Sequence, residues 1–247
     1  MARTEGPIGP AYHERTKYHP TRGVEPGLRV APASPVTVYD ASLPRIELPP
    51  PQTDDGPGLW ATISARRSRR AFTGEPLSLA ELSQLLWAVT GVTAREEGYA
   101  FRAAGSAGAL YPNDTYLVIN AVEGIEPCLA FYEVMDHRLC VLSEGNFSHE
   151  IARAALGQEF CATAAVVLVW AAVVNRCAWK YSDRAYRYIY MDAGHLGAHA
   201  QLAAEALGLG SCNVGAFFDD EVAGLFGLDG QGKLAVYMTA VGRRGGS

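Results

Sequence analysis

Apolar positions that recur every three or four residues predict the helices of this chain. From residue 186 to 207, apolar and small residues follow this spacing, which predicts one long helix that Gly208 ends. Ser78 and Glu81 form a capping-box pattern ahead of a second apolar stripe. Ser148 is predicted to cap a further short helix.

Short apolar runs bounded by turn residues predict the strands. Strands are expected at 115–120, 163–174 and 234–241, and a hairpin is expected from 129–135 and 139–142. Helices and strands do not alternate regularly along the chain. The sequence therefore predicts an α+β fold.

The first 57 residues differ from the rest of the chain. They are rich in proline and show little apolar periodicity, so we interpret residues 1–57 as an extended arm and residues 58–247 as one compact domain. The arm still carries aromatic and apolar side chains, including Tyr12, Tyr18 and Tyr39. We expect it to dock across a partner subunit.

Composition narrows the function classes. The 247 residues are 49% hydrophobic with a net charge of -5, which suits a globular core and provides no basic field for nucleic acid or an anionic membrane. No apolar run reaches the roughly 20 residues of a membrane helix. The five cysteines are scattered without a CxxC pair, and no secretory signal is visible, so we expect reduced thiols and a cytoplasmic protein.

Three segments could bind a ligand. The segment RRSRRAF at 66–72 could hold a phosphate through forked hydrogen bonds, although a solvated basic face is an equal alternative. The segments at 103–114 and 208–220 are rich in glycine, and exposed backbone there would let a planar ligand approach closely. A plain connecting loop and a helix cap followed by a turn are their respective alternatives.

Polar side chains around the long helix offer further chemistry. Asp192, His195 and His199 share one helix face, but the glutamate of an HExxH motif and a supported third ligand are absent, so no metal site is predicted. Lys180 and Tyr181 precede the helix. A lysine next to a tyrosine can favour the phenolate and make it a base, although the dipeptide alone is not specific.

Taken in order, these segments resemble one family. From Gly58 to Arg243 the chain is similar to the SagB-type, or thiazole/oxazole oxidase, branch of the FMN-dependent nitroreductase superfamily. The motifs that carry the resemblance are RRSRRAF, SAGALYP, the stretch from WKYSDRAYRYIYMDAGH to LGLGS, and AVYMTAVGRR, with HERTKY in the arm. The resemblance implies a nitroreductase-like α+β fold, with a mixed, mainly antiparallel sheet flanked by helices, and an intertwined homodimer with FMN at its interface.

The resemblance also implies three groups of cofactor-binding residues. Those expected at the FMN phosphate are Arg66, Ser68, Arg70 and Arg243. Those expected to line the flavin from the other subunit are Ser106, Ala107, Gly108 and Leu110. Those expected near the reactive N5 edge are Gly215 and Ala216.

Lys180 and Tyr181 resemble the pair that assists azoline oxidation in peptide-modifying members. Aromatising a thiazoline or oxazoline removes a proton and a hydride from neighbouring carbons, which requires a base and an electron acceptor. The leading hypothesis is therefore an FMN-dependent dehydrogenase of a peptide-derived azoline or similar small molecule, with a cyclodehydratase complex as one arrangement. The alternatives are an NAD(P)H-dependent reductase of nitro compounds or quinones, and a catalytically silent flavin-binding partner in a biosynthetic complex.

Overall fold

One seven-stranded sheet forms the centre of the protein. The computed structural model describes residues 7–18, 20 and 27–246; the rest of the expected arm and Ser247 lie outside the described residues. The strands of this sheet are β1 (Arg45–Glu47), β4 (Asn113–Ile119), β5 (Cys128–Glu133), β6 (Arg138–Glu144), β7 (Val166–Val173), β8 (Gly210–Val214) and β9 (Lys233–Gly242). Their order across the sheet is β1-β6-β5-β4-β7-β9-β8. Strands β2 (Val92–Glu96) and β3 (Tyr99–Arg102) form a separate hairpin.

Helices cover both faces of the large sheet. They are α1 (Ile8–Arg15), α2 (Leu59–Ala65), α3 (Leu79–Thr90), α4 (Ser148–Ala154), α5 (Phe160–Thr163), α6 (Asn175–Tyr181), α7 (Ala185–Ala206) and α8 (Asp219–Leu225). The strand pairs of the sheet are antiparallel. This confirms the predicted α+β class and the mainly antiparallel sheet. No helix in the described ranges is long and apolar enough to cross a bilayer.

The central strands are buried on both faces. In β4, Leu117 and Ile119 belong to the core beneath α3 and α7, whereas Tyr116 and Val118 belong to the core on the opposite face. This division follows from the two-residue alternation of side chains along a strand. A sheet covered on both sides explains why the predicted strands are continuous apolar runs.

Two local expectations need correction. Ser148 does not cap α4, because it is the first residue inside the helix and its N–H donates to Oδ1 of Asn146 at 2.9 Å. The glycine-rich segment at 208–220, interpreted as a turn, contains edge strand β8. The capping box is present as predicted, with Ser78 accepting from the N–H of Glu81 and the Glu81 side chain accepting in return.

The described arm residues are attached to their own chain, and docking of the arm across a partner subunit stays a prediction. Strand β1 extends the sheet beside β6. Arg176 donates from Nε to the Ser34 carbonyl at 2.7 Å and from Nη2 to Oγ1 of Thr37 at 2.8 Å. The same guanidinium pairs with Oδ1 of Asp114 at 2.6 Å, and both side chains of this pair are buried. Arg176 therefore joins the arm to β4.

The ion pair between Arg176 and Asp114 gives a testable prediction. Arg176→Met leaves the Asp114 carboxylate buried without its cation, and breaking a buried pair in this way costs about 3–5 kcal/mol of stability. Thr37→Val is the matched control, since it removes the hydroxyl hydrogen bonds to Asp114 and Arg176 but leaves the ion pair itself in place. Denaturant unfolding measures both variants. Equal losses in the two would contradict a stabilising role for the ion pair.

Candidate functional site

The loop before β4 is anchored to the middle of α7 by one carboxylate. Oγ of Ser106 donates to Oδ2 of Asp192 at 2.6 Å, and the N–H of Ala107 lies 3.3 Å from both carboxylate oxygens. The N–H of Tyr111 in turn donates to Oγ of Ser106 at 2.9 Å. Burial raises the pKa of Asp192, and the hydrogen bonds from Ser106 and Ala107 oppose that shift. The loop is thus held in one conformation by a group inside the protein.

The anchored loop holds unusual backbone angles. Gly108, Ala109 and Tyr111 have φ values of 64°, 52° and 45°. Such angles are uncommon for residues with a side chain, and they persist only where the surroundings impose them. Residues in this state are concentrated at functional sites, which makes the loop a candidate site on grounds independent of its sequence motif.

Lys180 and Tyr181 meet this loop at Gly108. A Cβ atom at Gly108 would lie 2.6 Å from Oη of Tyr181 and 3.0 Å from Nζ of Lys180, so a side chain at this position would displace the ends of both residues. The pair ends α6, and the next residue, Ser182, has a φ of 50°. The structure therefore brings a phenol and an ammonium group together against the glycine-rich loop, an arrangement suited to proton transfer.

A cavity of about 390 Å³ lies beside the pair, lined by Lys180, Tyr181 and Trp179 on one side and by Tyr18 and residues 27–30 of the arm on the other. The N–H of Leu28 donates to Oδ1 of Asp183 at 3.0 Å, and Oγ of Ser182 donates to the Leu28 carbonyl at 2.9 Å. The arm therefore forms one wall of the cavity.

A second tyrosine supports Tyr181. The rings of Tyr181 and Tyr188 are 4.7 Å apart, and Oη of Tyr188 accepts from Nε of Arg184 at 2.9 Å. Burial raises the pKa of Tyr188, but the hydrogen bonds from Tyr18 and Arg184 outweigh it, so the pKa lies below its ordinary value. Sequence reasoning missed this pair, whose only signal is the cluster of aromatic and arginine residues at the start of α7.

The arginine-rich segment lies at the other end of α7. It runs beside β8, where the N–H of Arg69 donates to the Ser211 carbonyl at 2.8 Å. On its other side, the N–H of Gly245 donates to the Ala71 carbonyl at 2.9 Å. Nε2 of Gln201, on α7, approaches Oγ of Ser68 at 3.4 Å. Three of the four predicted phosphate residues, Arg66, Ser68 and Arg70, therefore share one extended segment.

The charges of this segment suit an anion. Within the described residues, Arg66, Arg69 and Arg70 form no ion pair, and Nε of Arg69 is buried without a hydrogen-bond partner. Burial raises the pKa of the Cys212 thiol, while the charge of Arg70 and its hydrogen bond oppose the shift. Several guanidinium groups without counter-charges can bind a phosphate.

Arg243 lies beside this segment, but its guanidinium is occupied. Nη1 and Nη2 donate to the two carboxylate oxygens of Glu81 at 2.6 and 2.7 Å, and Nε donates to the Pro76 carbonyl. Burial raises the pKa of Glu81, but the hydrogen bonds from Arg243 and Ser78 outweigh it and hold the pKa below its ordinary value. In this conformation, Arg243 stabilises the start of α3.

The remaining predicted residues lie in two places. Leu110 lines a separate cavity under the arm. Gly215 follows β8 and faces the Tyr237 ring, and the Ala216 carbonyl accepts from Nε2 of Gln158 at 2.9 Å. Neither Gly215 nor Ala216 contacts the Gly108 loop in any described hydrogen bond. They are thus associated with β8 and β9.

The histidines of α7 serve the loop and the neighbouring helix. Nδ1 of His195 donates to the Gly105 carbonyl at 3.1 Å, and Nδ1 of His199 donates to the Ala88 carbonyl at 2.8 Å. No group of three or more His, Cys, Asp or Glu side chains in the described residues is arranged to hold a metal ion. Asp192, considered first as a potential ligand, is the anchor of the loop.

Comparison with known proteins agrees with this fold. The model of the Nitroreductase family matches residues 63–243. A curated relative from Methanocaldococcus jannaschii, named "Putative nitroreductase MJ1384", is 41% identical over 157 residues, which cover 64% of this chain and 78% of the relative.

Two solved structures extend the comparison. A "putative nitroreductase" from Anabaena variabilis has a TM-score of 0.72 and 30% identity over 83% of this chain, which spans only 42% of that protein. A chain of the Escherichia coli microcin synthetase McbBCD complex with truncated pro-MccB17 bound has a TM-score of 0.63 and 20% identity, covering 98% of this chain and 84% of the other. The latter likeness concerns the fold alone. With the family model matched over most of its length, the chain belongs to the nitroreductase family of oxidoreductases.

Proposed function

We propose that this protein is an FMN-dependent dehydrogenase of the SagB-type branch, which oxidises a peptide-derived azoline or similar heterocycle to the aromatic azole. The observation that carries the proposal is the convergence of Lys180 and Tyr181 on Gly108. Reduction of nitro compounds does not require a base beside a strained glycine-rich loop, whereas aromatisation requires removal of a carbon-bound proton.

The donor groups support FMN as the cofactor. The arginines of the 66–70 segment without ion pairs suit its phosphate, and Arg66, Ser68 and Arg70 are the proposed ligands. From the other subunit of the proposed dimer, Ser106, Ala107, Gly108 and Leu110 would line the flavin, with Gly215 and Ala216 near its reactive edge. Arg243 could contribute only by leaving Glu81. When bound, FMN would supply the hydride acceptor, with molecular oxygen as the terminal oxidant.

The residues around Gly108 have separate roles in this proposal. Tyr181, as its phenolate, accepts the proton from the ring carbon. The ammonium group of Lys180 lies nearby and stabilises the negative charge of that phenolate. The missing side chain of Gly108 leaves the space in which both groups meet. The arm segments form one wall of the cavity beside the pair.

A biosynthetic complex is a further part of the proposal. The chain shares its fold with a chain of a microcin synthetase complex that has a truncated pro-peptide bound. We therefore propose a modified peptide as the substrate and a cyclodehydratase as the partner. The second candidate is an NAD(P)H-dependent reductase of nitro compounds or quinones, favoured by the relative named as a nitroreductase.

A homodimer is also proposed. Exposed apolar side chains lie on α2, where Leu59, Trp60 and Ile63 are 57%, 80% and 47% exposed, and on α7, where Tyr190 and Met191 are 54% and 58% exposed. Apolar residues concentrated in this way indicate an interface. Sedimentation at micromolar concentration should show a dimer. Trp60→Glu should shift it toward monomer, and a parent protein that is monomeric would contradict the proposal.

FMN binding is the next prediction. Arg70→Ala should weaken FMN affinity by about 1.5–3 kcal/mol, the value of a hydrogen bond to a charged group. Arg67→Ala is the control, because Arg67 already donates to the Ser64 and Arg66 carbonyls. Fluorescence titration of the apoprotein with FMN measures both. An unchanged affinity in Arg70→Ala would show that the phosphate binds elsewhere.

Substitutions at Tyr181 and Lys180 test their proposed roles as the base and its neighbouring cation. Tyr181→Phe should keep bound FMN but slow azole formation from a thiazoline peptide by about 10²–10⁴, as expected for loss of a general base. Lys180→Ala should act similarly. Tyr186→Phe is the matched control on α7. Mass spectrometry follows the loss of two hydrogens from the peptide, and parent rates in both site variants would reject the mechanism.

A further inference from the structure

Arg102, at the end of β3, is a cation that the described part of the structure leaves without a counter-charge. Its guanidinium has no ion pair and no hydrogen-bond acceptor among the described residues, and its Nε is buried. It lies over the ring of Tyr111, with its central carbon 4.5 Å from the ring centroid. Burial lowers the pKa of Arg102, and the charge of Asp114 opposes that shift. Such a group is costly to bury unless a ligand pairs with it.

Two cavities meet at this side chain. One, of about 390 Å³, reaches from Arg102 to Leu110 and Trp179, the residue before the proposed catalytic pair. The other, of about 360 Å³, reaches from Arg102 along the β5–β6 hairpin. Val36 and Met135 also line both cavities. Arg102 therefore lies at the boundary between the two cavities, which together form a groove that begins near the proposed reaction site.

The acidic groups of this groove are already paired. Asp114 binds Arg176 at 2.6 Å, and Glu133 lies 3.0 Å from Arg45 and 2.5 Å from Arg138. A third acid, Asp136, also pairs with Arg138. Among the described residues, Arg102 is thus the cation of the groove that has no carboxylate partner, and its guanidinium can bind an anion. The rest of the lining is mainly apolar, and includes Val36, Val38, Phe131, Val134 and Met135.

We propose that Arg102 binds a carboxylate of the substrate, whose apolar body occupies the cavities on either side. A carboxylate matches the planar fork of a guanidinium and brings one negative charge to one unpaired cation. A phosphate dianion would bring two charges into a groove that already contains three carboxylates. The identity of the substrate as a modified peptide rests on the proposed function, whereas the binding site itself does not.

Calorimetry on the purified full-length protein tests the site directly. The probes are N-acetyl-leucyl-phenylalanine with a free carboxylate, the same dipeptide as its amide, and inorganic phosphate. We expect the acid to bind about 10- to 100-fold more tightly than the amide, as for a charged hydrogen bond, and more tightly than phosphate. Equal binding of acid and amide, or tighter binding of phosphate, would overturn the proposal.

Variants assign the preference to Arg102. Arg102→Met should abolish the acid preference, Arg102→Lys should retain part of it because lysine lacks the fork, and exposed Arg153→Met should leave it unchanged. Because Arg102 has no protein counter-charge, Arg102→Met should unfold at nearly the parent temperature, unlike Arg176→Met. A full acid preference in Arg102→Met or no preference in Arg102→Lys would contradict the assignment, as would a loss of stability as large as that of Arg176→Met.

Turnover measurements distinguish failure of the carboxylate site from failure of the proposed dehydrogenase activity. With thiazoline peptides, Arg102→Met should raise KM for the free acid and leave kcat and the amide's KM nearly unchanged. If no azoline is oxidised but the acid preference persists in calorimetry, the proposed function fails and the carboxylate site stands. If azolines are oxidised without an acid preference, the carboxylate site fails alone.

Discussion

The close packing of α7 on the central sheet is the constraint on which both parts of the site depend. A Cβ atom at Gly197 would lie 2.6 Å from the ring of Tyr237 and 3.0 Å from Nδ2 of Asn213, so the helix approaches β8 and β9 more closely than a larger residue allows. Asp192 then holds the loop near Gly108, and Gln201 approaches Ser68. At 1.5 Å per residue these two contacts are about 14 Å apart along the helix, so the position of α7 sets the distance between the two segments.

The arm is part of the site as well as an attachment to the domain. Its segments contact the residues that follow the Lys180–Tyr181 pair, and Arg176 fastens it to the centre of the sheet. The cavities beside Lys180 and beside Arg102 both have arm residues in their walls. Different arm sequences on the same domain would therefore change the shape of the proposed substrate groove and leave the segments proposed to bind FMN intact. This separation explains how one fold can serve different substrates.

Local patterns predicted the features that depend on local interactions. The capping box of Ser78 and Glu81 and the helix stopped by Gly208 involve neighbours a few residues apart. Strand β8 was mistaken for a turn because Gly210 was interpreted as a turn residue. In the structure Gly210 packs closely on Phe72, which is distant in sequence, and a Cβ atom there would lie 3.2 Å from the ring. The same reason hid the role of Asp192 as an anchor, the pairing of Arg243 with Glu81 and the isolation of Arg102. Motif order identified the family, since five weak segments in one order exclude most alternatives.

The direction of electron flow tests the central claim most directly. The FMN-loaded protein should be mixed anaerobically with a thiazoline peptide, and separately with NADPH, while the flavin absorbance is followed. Bleaching by the thiazoline peptide, with formation of an equal amount of thiazole and little bleaching by NADPH, is the result expected of a dehydrogenase. Rapid bleaching by NADPH together with no reaction of the thiazoline peptide would contradict the account and support a reductase.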